Sequence, residues 1–466
     1  MSNQPNIVMI MSDEHDPAVM GCYGDDLVHT PNFDRLAEEG VVFDDAYCNS
    51  PLCVPSRLSF TAGQYISRCG AWSNNCWLPS DEYPSLPRVL RRAGYRPFLC
   101  GKQHYDAQRR YGFIDLLPEG PCNQHHKGGT GVRREADDTS PNFKSWENRS
   151  SKFYAGDDSY ILNHDRTAHS KSLEFLSDQG EQEEPFFLFV GHLAPHFPLI
   201  VPEPYYEKYK GRVPMPKIPE GFLEELPTNY KHLRYGFGLT ETEADTVQKG
   251  RDLYWAFVDW YDDLIGELLD AIESSDVARD TVVIYTSDHG EDKGDHGLWW
   301  KNCMYEHAAR VPLIVRYPER WSGGQRRKGA CSLVDLVQTI VGLAEAEAPP
   351  DWDGDSMVQW MDDADTDWKD VALSEYYAHN IASGFTMLRQ GAHKYVYHNR
   401  MDEEHGPERE LYNLESDPGE FDNLAADPEH TDRIRRMHSA MVEELGEDPE
   451  DIERRCREDY ARGYGR

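Results

Sequence analysis

The 466-residue sequence contains no apolar run approaching the ~20 residues that span a bilayer. Its N-terminal stretch, MSNQPNIVMIMSDEH, lacks the basic start, long apolar segment and small-residue cleavage site of a secretory signal. A soluble, cytoplasmic protein with no membrane partner is therefore expected. Basic residues are scarce: 48 Lys and Arg stand against 83 Asp and Glu, a formal net charge of −35. That balance excludes nucleic acid and anionic membrane as natural partners, because both demand basic patches. It also means that an anionic ligand must be drawn in by a local basic cluster against a repulsive overall field. The ten cysteines form no CxxC pair and no CxxC…HxxxH spacing. Neither a structural zinc site nor a disulfide framework is indicated, and reduced, buried thiols are expected. Internal repeats and low-complexity segments are absent.

What is present is enough apolar residue, 39% with 12% aromatic, to build a large interior. The length exceeds one simple core, so a large domain with a smaller companion is expected. Four short apolar runs read as buried strands, each ending in polar residues: 7-IVMIM-11 before SDEH, 97-PFLC-100 before GKQH, 186-FFLFV-190 before GHLAPH, and 281-TVVIY-285 before TSDHGE. Continuous apolar runs of this kind suit parallel strands covered on both faces. In open α/β sheets ligands bind beyond the carboxyl ends of the strands, where these four polar tails would converge. The fold class is α/β: a large mixed, mostly parallel sheet sandwiched by helices.

Residues 251–272 have helical apolar spacing, and their Asp259, Asp262 and Asp263 read as a solvated face. The Asp-, Pro- and Gly-rich stretch around 345–370 reads as a boundary. We assign 1–365 to a catalytic domain and 366–466 to a smaller α+β C-terminal domain. In the latter, 383–399 and 410–425 supply short strands and turns, and an acidic helix closes the chain.

In 50-SPLCVPSRLSFTAG-63, Pro55 suits the first turn of a helix running through Arg57 to about Gly63. Cys53 then sits at the helix N-terminus, where free N–H groups and the dipole favour an anion and a lowered thiol pKa. Arg57 lies one turn along on the same side. The three residues between Cys53 and Arg57 are too few to form the phosphate-wrapping loop of a cysteine phosphatase. From these residues alone, a buried structural thiol and an anion-binding thiol both remain open.

C-x-P-S-R followed by a helix and a glycine resembles the signature of the type I sulfatases of the alkaline-phosphatase superfamily, in which the cysteine is oxidised to Cα-formylglycine. The other tails follow in the order of that family, as does 410-ELYNLESDPGEFDNLA-425, so the resemblance spans nearly the whole chain. It implies that Cys53 is the formylglycine precursor, matured by a formylglycine-generating or anaerobic maturation enzyme, and that Arg57 holds its geminal hydroxyl. Asp13 and Glu14 match the first metal-binding acidic pair, with Glu14 departing from the commoner Asp. Asp288 and His289 match the second pair. Lys102 and His104 match the K-x-H pair, His196 the H-x-P histidine with His192 as its rival, and Lys301 the sulfate-contacting lysine.

The resemblance favours Ca²⁺, with Cys53 joining the acidic pairs around it; carboxylate oxygens suit Ca²⁺ or Mg²⁺, and His289 admits Mn²⁺ or Zn²⁺. In the implied reaction a hydroxyl of the aldehyde hydrate attacks sulfur, and Lys102, Lys301 and Arg57 offset charge on the sulfuryl oxygens. His196 or Lys301 protonates the leaving alcohol, and His104 deprotonates the remaining hydroxyl so that the aldehyde re-forms. The substrate is a small anionic sulfate ester: a sulfated sugar, choline sulfate or an aryl sulfate. Trp72, Trp77, Tyr105, Trp299 and Trp300 are candidates to line its pocket, although each fits a core position as well. The alternative reaction is a formylglycine-dependent phosphonate monoester or phosphodiester hydrolysis. A homo-oligomer is compatible with the sequence.

Overall fold

A computed structural model describes residues 4–106, 108–118, 133–178 and 184–463. Strands β1 (Asn6–Asp13), β2 (Val41–Tyr47), β3 (Arg96–Gly101) and β4 (Ile114–Asp115) come first in the chain. They are followed by β5 (Tyr154–Ala155), β6 (Phe186–Pro195), β7 (Ile200–Val201), β8 (Thr281–Ser287), β9 (Leu313–Arg316) and β10 (Gln325–Ser332). Eight of these form one sheet in the order β10-β2-β9-β8-β1-β6-β3-β4, while β5 and β7 form a separate pair. Strand β9 runs antiparallel to β2 and β8, and the other neighbours in the large sheet are parallel. The mixed, mostly parallel α/β sheet read from the sequence is thus the observed architecture.

All eight residues of the central strand β1 are buried, because helices cover both faces of the sheet. Alternation along the strand divides its side chains between two cores. Val8 and Ile10 join the core beneath the helices Tyr160–Ser177 and Ala244–Glu273. Ile7, Met9 and Met11 join the core beneath the helices Cys53–Ala62 and Leu333–Leu343. The helix expected at 251–272 runs longer, from Ala244 to Glu273. Its aspartates depart from the solvated face expected of them. Asp259 and Asp262 are buried, Asp259 accepting from Tyr209 Oη at 2.7 Å and Asp262 from the Phe33 N–H at 2.8 Å. They tie neighbouring segments to the helix, while Asp263 stays at the surface beside Tyr205.

A second sheet, the antiparallel meander β11 (Val371–Tyr376), β12 (Phe385–Gln390), β13 (His393–His398) and β14 (Glu408–Asn413), follows in the C-terminal part. Met437, Met441, Leu445, Ile452 and Cys456 of the last two helices belong to the same core as the Cys53–Ala62 helix. The connection is polar as well: the Glu375 N–H of β11 donates to the Asn49 carbonyl, and Asn49 Nδ2 donates to Ser59 Oγ at 2.8 Å. The C-terminal sheet therefore buttresses the segment that carries Cys53. The nine described cysteines are free thiols, all buried except the half-buried Cys22; Cys122 lies outside the described residues. Among the described residues no helix is long and apolar enough to cross a membrane.

Candidate active site

Register brings the strand-end residues together. Parallel pairing of β1 with β8 aligns Ser12 with Ser287, so Asp13 and Asp288 leave the sheet side by side. On the other flank, β3 and β6 pair Gly101 with Gly191. A Cβ on Gly191 would lie 1.8 Å from the Lys102 carbonyl oxygen, so only glycine lets the chain carrying Lys102 pass this closely. Four residues around the site, Glu14, His104, Trp300 and Asn302, adopt positive φ of 67°, 59°, 69° and 88°. Such backbone costs of order 1–3 kcal/mol per residue and persists where the surroundings over-determine it. Asn302 is so fixed, its N–H donating to the Pro51 carbonyl and its Nδ2 to Tyr376 Oη at 2.8 Å.

Cys53 is the first residue of its helix, preceded by the extended Leu52. Pro55 falls at the third position, still within the turn whose N–H groups lack intrahelical partners. Gly63 closes the helix at φ 63°, against the Trp352 ring. Cys53 Sγ lies 3.1 Å from His289 Nε2 and 3.6 Å from Asp13 Oδ1. The expected lowering of its pKa is reversed: burial, reinforced by Asp13, pushes the thiol up to about 12. Desolvation outweighs the helix terminus here, so an unmodified Cys53 is a protonated thiol at neutral pH.

Arg57 is completely buried, and each of its five N–H groups faces a protein acceptor. Nε donates to Asp288 Oδ2 at 2.7 Å; Nη2 donates to the Ser12 carbonyl at 3.0 Å and to Asp13 Oδ2 at 3.2 Å. Nη1 donates to the Lys102 carbonyl at 3.1 Å and to Gln103 Oε1 at 3.4 Å. This differs from the expectation that Arg57 holds a hydroxyl of the hydrate, because no donor is left over; it fixes the two carboxylates instead. Lys102 Nζ also bonds Asp13 Oδ2. Burial opposes the Asp13 charge, yet Lys102, His196 and Arg57 hold its pKa well below the usual carboxylate range.

The donors that remain point at one place. Asp13 and Asp288 each give one oxygen, Oδ2, to the basic side chains and keep Oδ1 facing His289 Nε2, at 3.7 and 3.6 Å. His289 Nδ1 lies 3.0 Å from the Gly290 carbonyl. A carbonyl can only accept, so Nδ1 carries a proton, which leaves Nε2 as the nitrogen able to serve as a ligand. Ligand atoms of Asp13, Cys53, Asp288 and His289 all lie within 4.8 Å of one another, as do those of a second set, Asp13, Glu14 and His196. Oriented carboxylate oxygens with a lone-pair nitrogen fit a divalent ion. Glu14 stands in the second set.

Glu14 Oε1 lies 2.8 Å from Lys301 Nζ, and its Oε2 3.3 Å from His196 Nε2. Burial raises the Glu14 pKa to about 7 despite Lys301. Burial also opposes the Lys301 charge, but Cys53, Glu14 and Asp13 keep it protonated. Lys301 Nζ meets His196 Nε2 at 2.9 Å, and His196 Nδ1 bonds the Phe197 carbonyl. Burial, followed by Lys301, lowers the His196 pKa well below its usual value, so His196 is neutral and accepts from the ammonium. The rival His192 lies within β6, wholly buried against Tyr261 Oη at 3.2 Å, and turns away from this cluster.

A cavity of about 370 Å³ opens over Cys53, walled by Lys102, His104, His196 and Lys301. Of the five aromatic candidates only Trp300 lines it. Trp72 packs edge-on against Tyr377 and donates to Asp459, Tyr105 shares a hydrogen bond with Thr61, Trp299 packs against Trp146 and Phe153, and Trp77 sits half-exposed beside Arg109. Phe197, Phe237 and Arg149, which the sequence reading missed, complete the wall around Trp300. Phe197 adjoins the H-x-P histidine, a signal that was available; nothing local marks Arg149 or Phe237.

A sulfatase family model matches residues 5–346, and a model of the C-terminal part of N-sulphoglucosamine sulphohydrolase matches residues 294–447. An uncharacterised sulfatase of Escherichia coli is 29% identical over 451 residues, covering 94% of this chain and 87% of that protein. The N-acetylglucosamine-6-O-sulfatase of Bacteroides thetaiotaomicron is 26% identical, covering 95% and 86%. Among solved structures, the phosphonate monoester hydrolase of Agrobacterium radiobacter shares the fold with a TM-score of 0.76 at 22% identity, covering 94% of this chain and 95% of that one.

Proposed function

The chain belongs to the sulfatase family of the alkaline-phosphatase superfamily and is a sulfate ester hydrolase; from that premise we propose that it cleaves a small O-sulfate through Cys53 after its oxidation to Cα-formylglycine. The observation that carries this reading is the seat of Cys53, 3.1 Å from His289 Nε2 and 3.6 Å from Asp13 Oδ1, at the floor of the cavity. A buried thiol with its pKa near 12 is a poor nucleophile, so the position suits a precursor better than a working thiolate. Maturation requires a partner, a formylglycine-generating or anaerobic enzyme.

Asp13, Asp288 and His289, with Glu14 of the neighbouring set, would hold the divalent ion, for which Ca²⁺ is the first choice and Mn²⁺, Mg²⁺ and Zn²⁺ the alternatives. When bound, such an ion supplies Lewis-acid polarisation of a sulfate oxygen. Arg57 fixes the carboxylates that would hold it. Lys102 and Lys301 set positive charge against the sulfuryl oxygens. The proton for the leaving alcohol resides on Lys301, because His196 is neutral and accepts from it at 2.9 Å. His104, on the cavity wall, is the base that would remove the second hydroxyl proton so that the aldehyde re-forms. The reading assigns catalysis to residues 1–365 and a buttressing role to 366–466.

A phosphonate monoester or phosphodiester hydrolase is the second reading, favoured by the fold shared with such an enzyme. Comparing kcat/KM on 4-nitrophenyl sulfate and on phenyl phosphonate separates the two, with the sulfate expected to be preferred. The peptide containing Cys53 should be lighter by the difference between thiol and aldehyde. An unmodified thiol in fully active enzyme would overturn the mechanism.

A further inference from the structure

Arg149 lies in the last turn of the Phe143–Ser150 helix, at the wall of the cavity that holds Cys53 and Lys301. Its guanidinium carbon is 4.3 Å from the centroid of Trp300, 4.4 Å from that of Phe197 and 5.2 Å from that of Phe237. Three aromatic rings pack around the group. Among the described residues no carboxylate lies within ion-pair distance of it, and no protein acceptor takes its side-chain N–H groups.

The other cations of the site differ. Arg57 is paired with Asp13 and Asp288, Lys102 with Asp13, and Lys301 with Glu14. Among the described cations that line the cavity, Arg149 is the one with no carboxylate in ion-pair distance, Glu14 and Glu291 acting on it only from farther off, and it is the one left to act on a ligand in a chain of net charge −35. A planar guanidinium whose N–H groups have no protein acceptor suits a carboxylate or a second sulfate, which it can bind through two parallel hydrogen bonds. The place is also right. Arg149 and Lys301 both lie against the Phe197 ring, at 4.4 and 5.8 Å from its centroid, so the two cations border the same part of the cavity.

We infer that Arg149 is a specificity-determining residue that binds a second anionic group on the leaving-group side, so that the chain takes a doubly anionic sugar sulfate. This rests on the sulfate ester reading given above. The same geometry disfavours choline sulfate. Trp300, Phe197 and Phe237 would form a cage for a quaternary ammonium, but the guanidinium of the protein already fills it and repels a second cation.

The test uses matched sugar sulfates differing by one anion: glucuronate 2-sulfate against glucose 2-sulfate, and N-sulfoglucosamine 6-sulfate against N-acetylglucosamine 6-sulfate. In at least one pair the anionic member should lead in kcat/KM by about 10- to 100-fold, the range expected for charge-assisted hydrogen bonds. Arg149→Met should collapse that ratio to about one, Arg149→Lys should retain part of it, and choline sulfate should gain relative to the neutral sugar in Arg149→Met. Ratios near one in every wild-type pair, or an equal fall of both members in Arg149→Met, would overturn the inference. Calorimetric binding of the desulfated products, glucuronate and N-sulfoglucosamine, reads Arg149 without turnover. If the wild type hydrolyses no sulfate ester, the proposed function fails. The inference on Arg149 then stands if these products bind wild type more tightly than Arg149→Met, and falls if they bind both alike.

Discussion

Replacing Arg57 with Met removes the guanidinium that hydrogen-bonds both strand-end carboxylates. Asp13 keeps Lys102 on the same oxygen, so most of the loss falls on Asp288, whose Oδ2 has Arg57 as its ion-pair partner at 2.7 Å. Both groups are wholly buried. Breaking one partner out of a buried pair costs about 3–5 kcal/mol, because the remaining charge stays desolvated and uncompensated. Urea unfolding in EDTA should therefore show a loss of about 3–5 kcal/mol for Arg57→Met. Arg57→Lys should recover only part of it, since an ammonium has three donors where five acceptors wait. Repeating the titration in Ca²⁺ adds a sign: the ion should stabilise Arg57→Met at least as much as wild type, because it replaces the missing charge between the carboxylates. At an ion concentration of a hundred times Kd the gain is about 2.7 kcal/mol. A loss below about 1 kcal/mol in EDTA, or a variant indifferent to Ca²⁺ while wild type responds, would refute the view of Arg57 as the clamp of the candidate metal carboxylates.

Glu375 is buried on β11, with Ser67 N–H and Oγ both 3.2 Å from its Oε2, and burial raises its pKa from 4.5 to about 7. The folded state thus binds this proton more tightly than the unfolded state, so its contribution is fully present below about pH 4.5 and is lost as pH rises through 7. Glu375→Gln should gain on wild type by up to about 3 kcal/mol between pH 5 and pH 8.5 in urea titrations, and a pH-independent difference would count against it. Gly191→Ala places a Cβ 1.8 Å from the Lys102 carbonyl and must push the Lys102 backbone aside. We expect kcat/KM on 4-nitrophenyl sulfate to fall at least about tenfold and thermal stability to fall with it; unchanged kinetics would show that the position of Lys102 does not depend on this contact.

The four strands read from the sequence are those whose apolar runs are unbroken, and their polar tails do converge. Local pattern sufficed there because a strand buried on both faces has no polar positions to disguise it. Strands β2, β9 and β10 went unread. VVFDDAY and QRRKGACS are interrupted by charged residues, and LIVR is too short to stand out. At the site, the residue types were legible but their environments were not. Helix-end reasoning predicts a lowered thiol pKa for Cys53, whereas burial beside Asp13 raises it. The same holds for Arg57, because spacing says which side of the helix it faces and nothing of the five acceptors that surround it. Arg149 was out of reach altogether, since the folding of a separate helix over Trp300 and Phe197 brings it to the cavity.

Charge is where the sequence and the site meet. With Glu14 ionised, the three carboxylates Asp13, Glu14 and Asp288 are matched by Arg57, Lys102 and Lys301 in direct pairs. Pairing of this kind lets six charges be buried together, as isolated burial of any one would be prohibitive. It also cancels their field: the inner cluster alone gives an anion little reason to enter a protein of net charge −35. On the proposed reading, net attraction would come from a divalent ion held by Asp13, Asp288 and His289 and from Arg149 at the wall. The two contributions would act on different parts of the substrate, the ion on the sulfate and Arg149 on the remainder. The Ca²⁺ dependence of Arg57→Met and the substrate ratios of Arg149→Met therefore read separate terms. If both were null, the local basic cluster that an acidic chain requires for an anionic substrate would have to lie elsewhere.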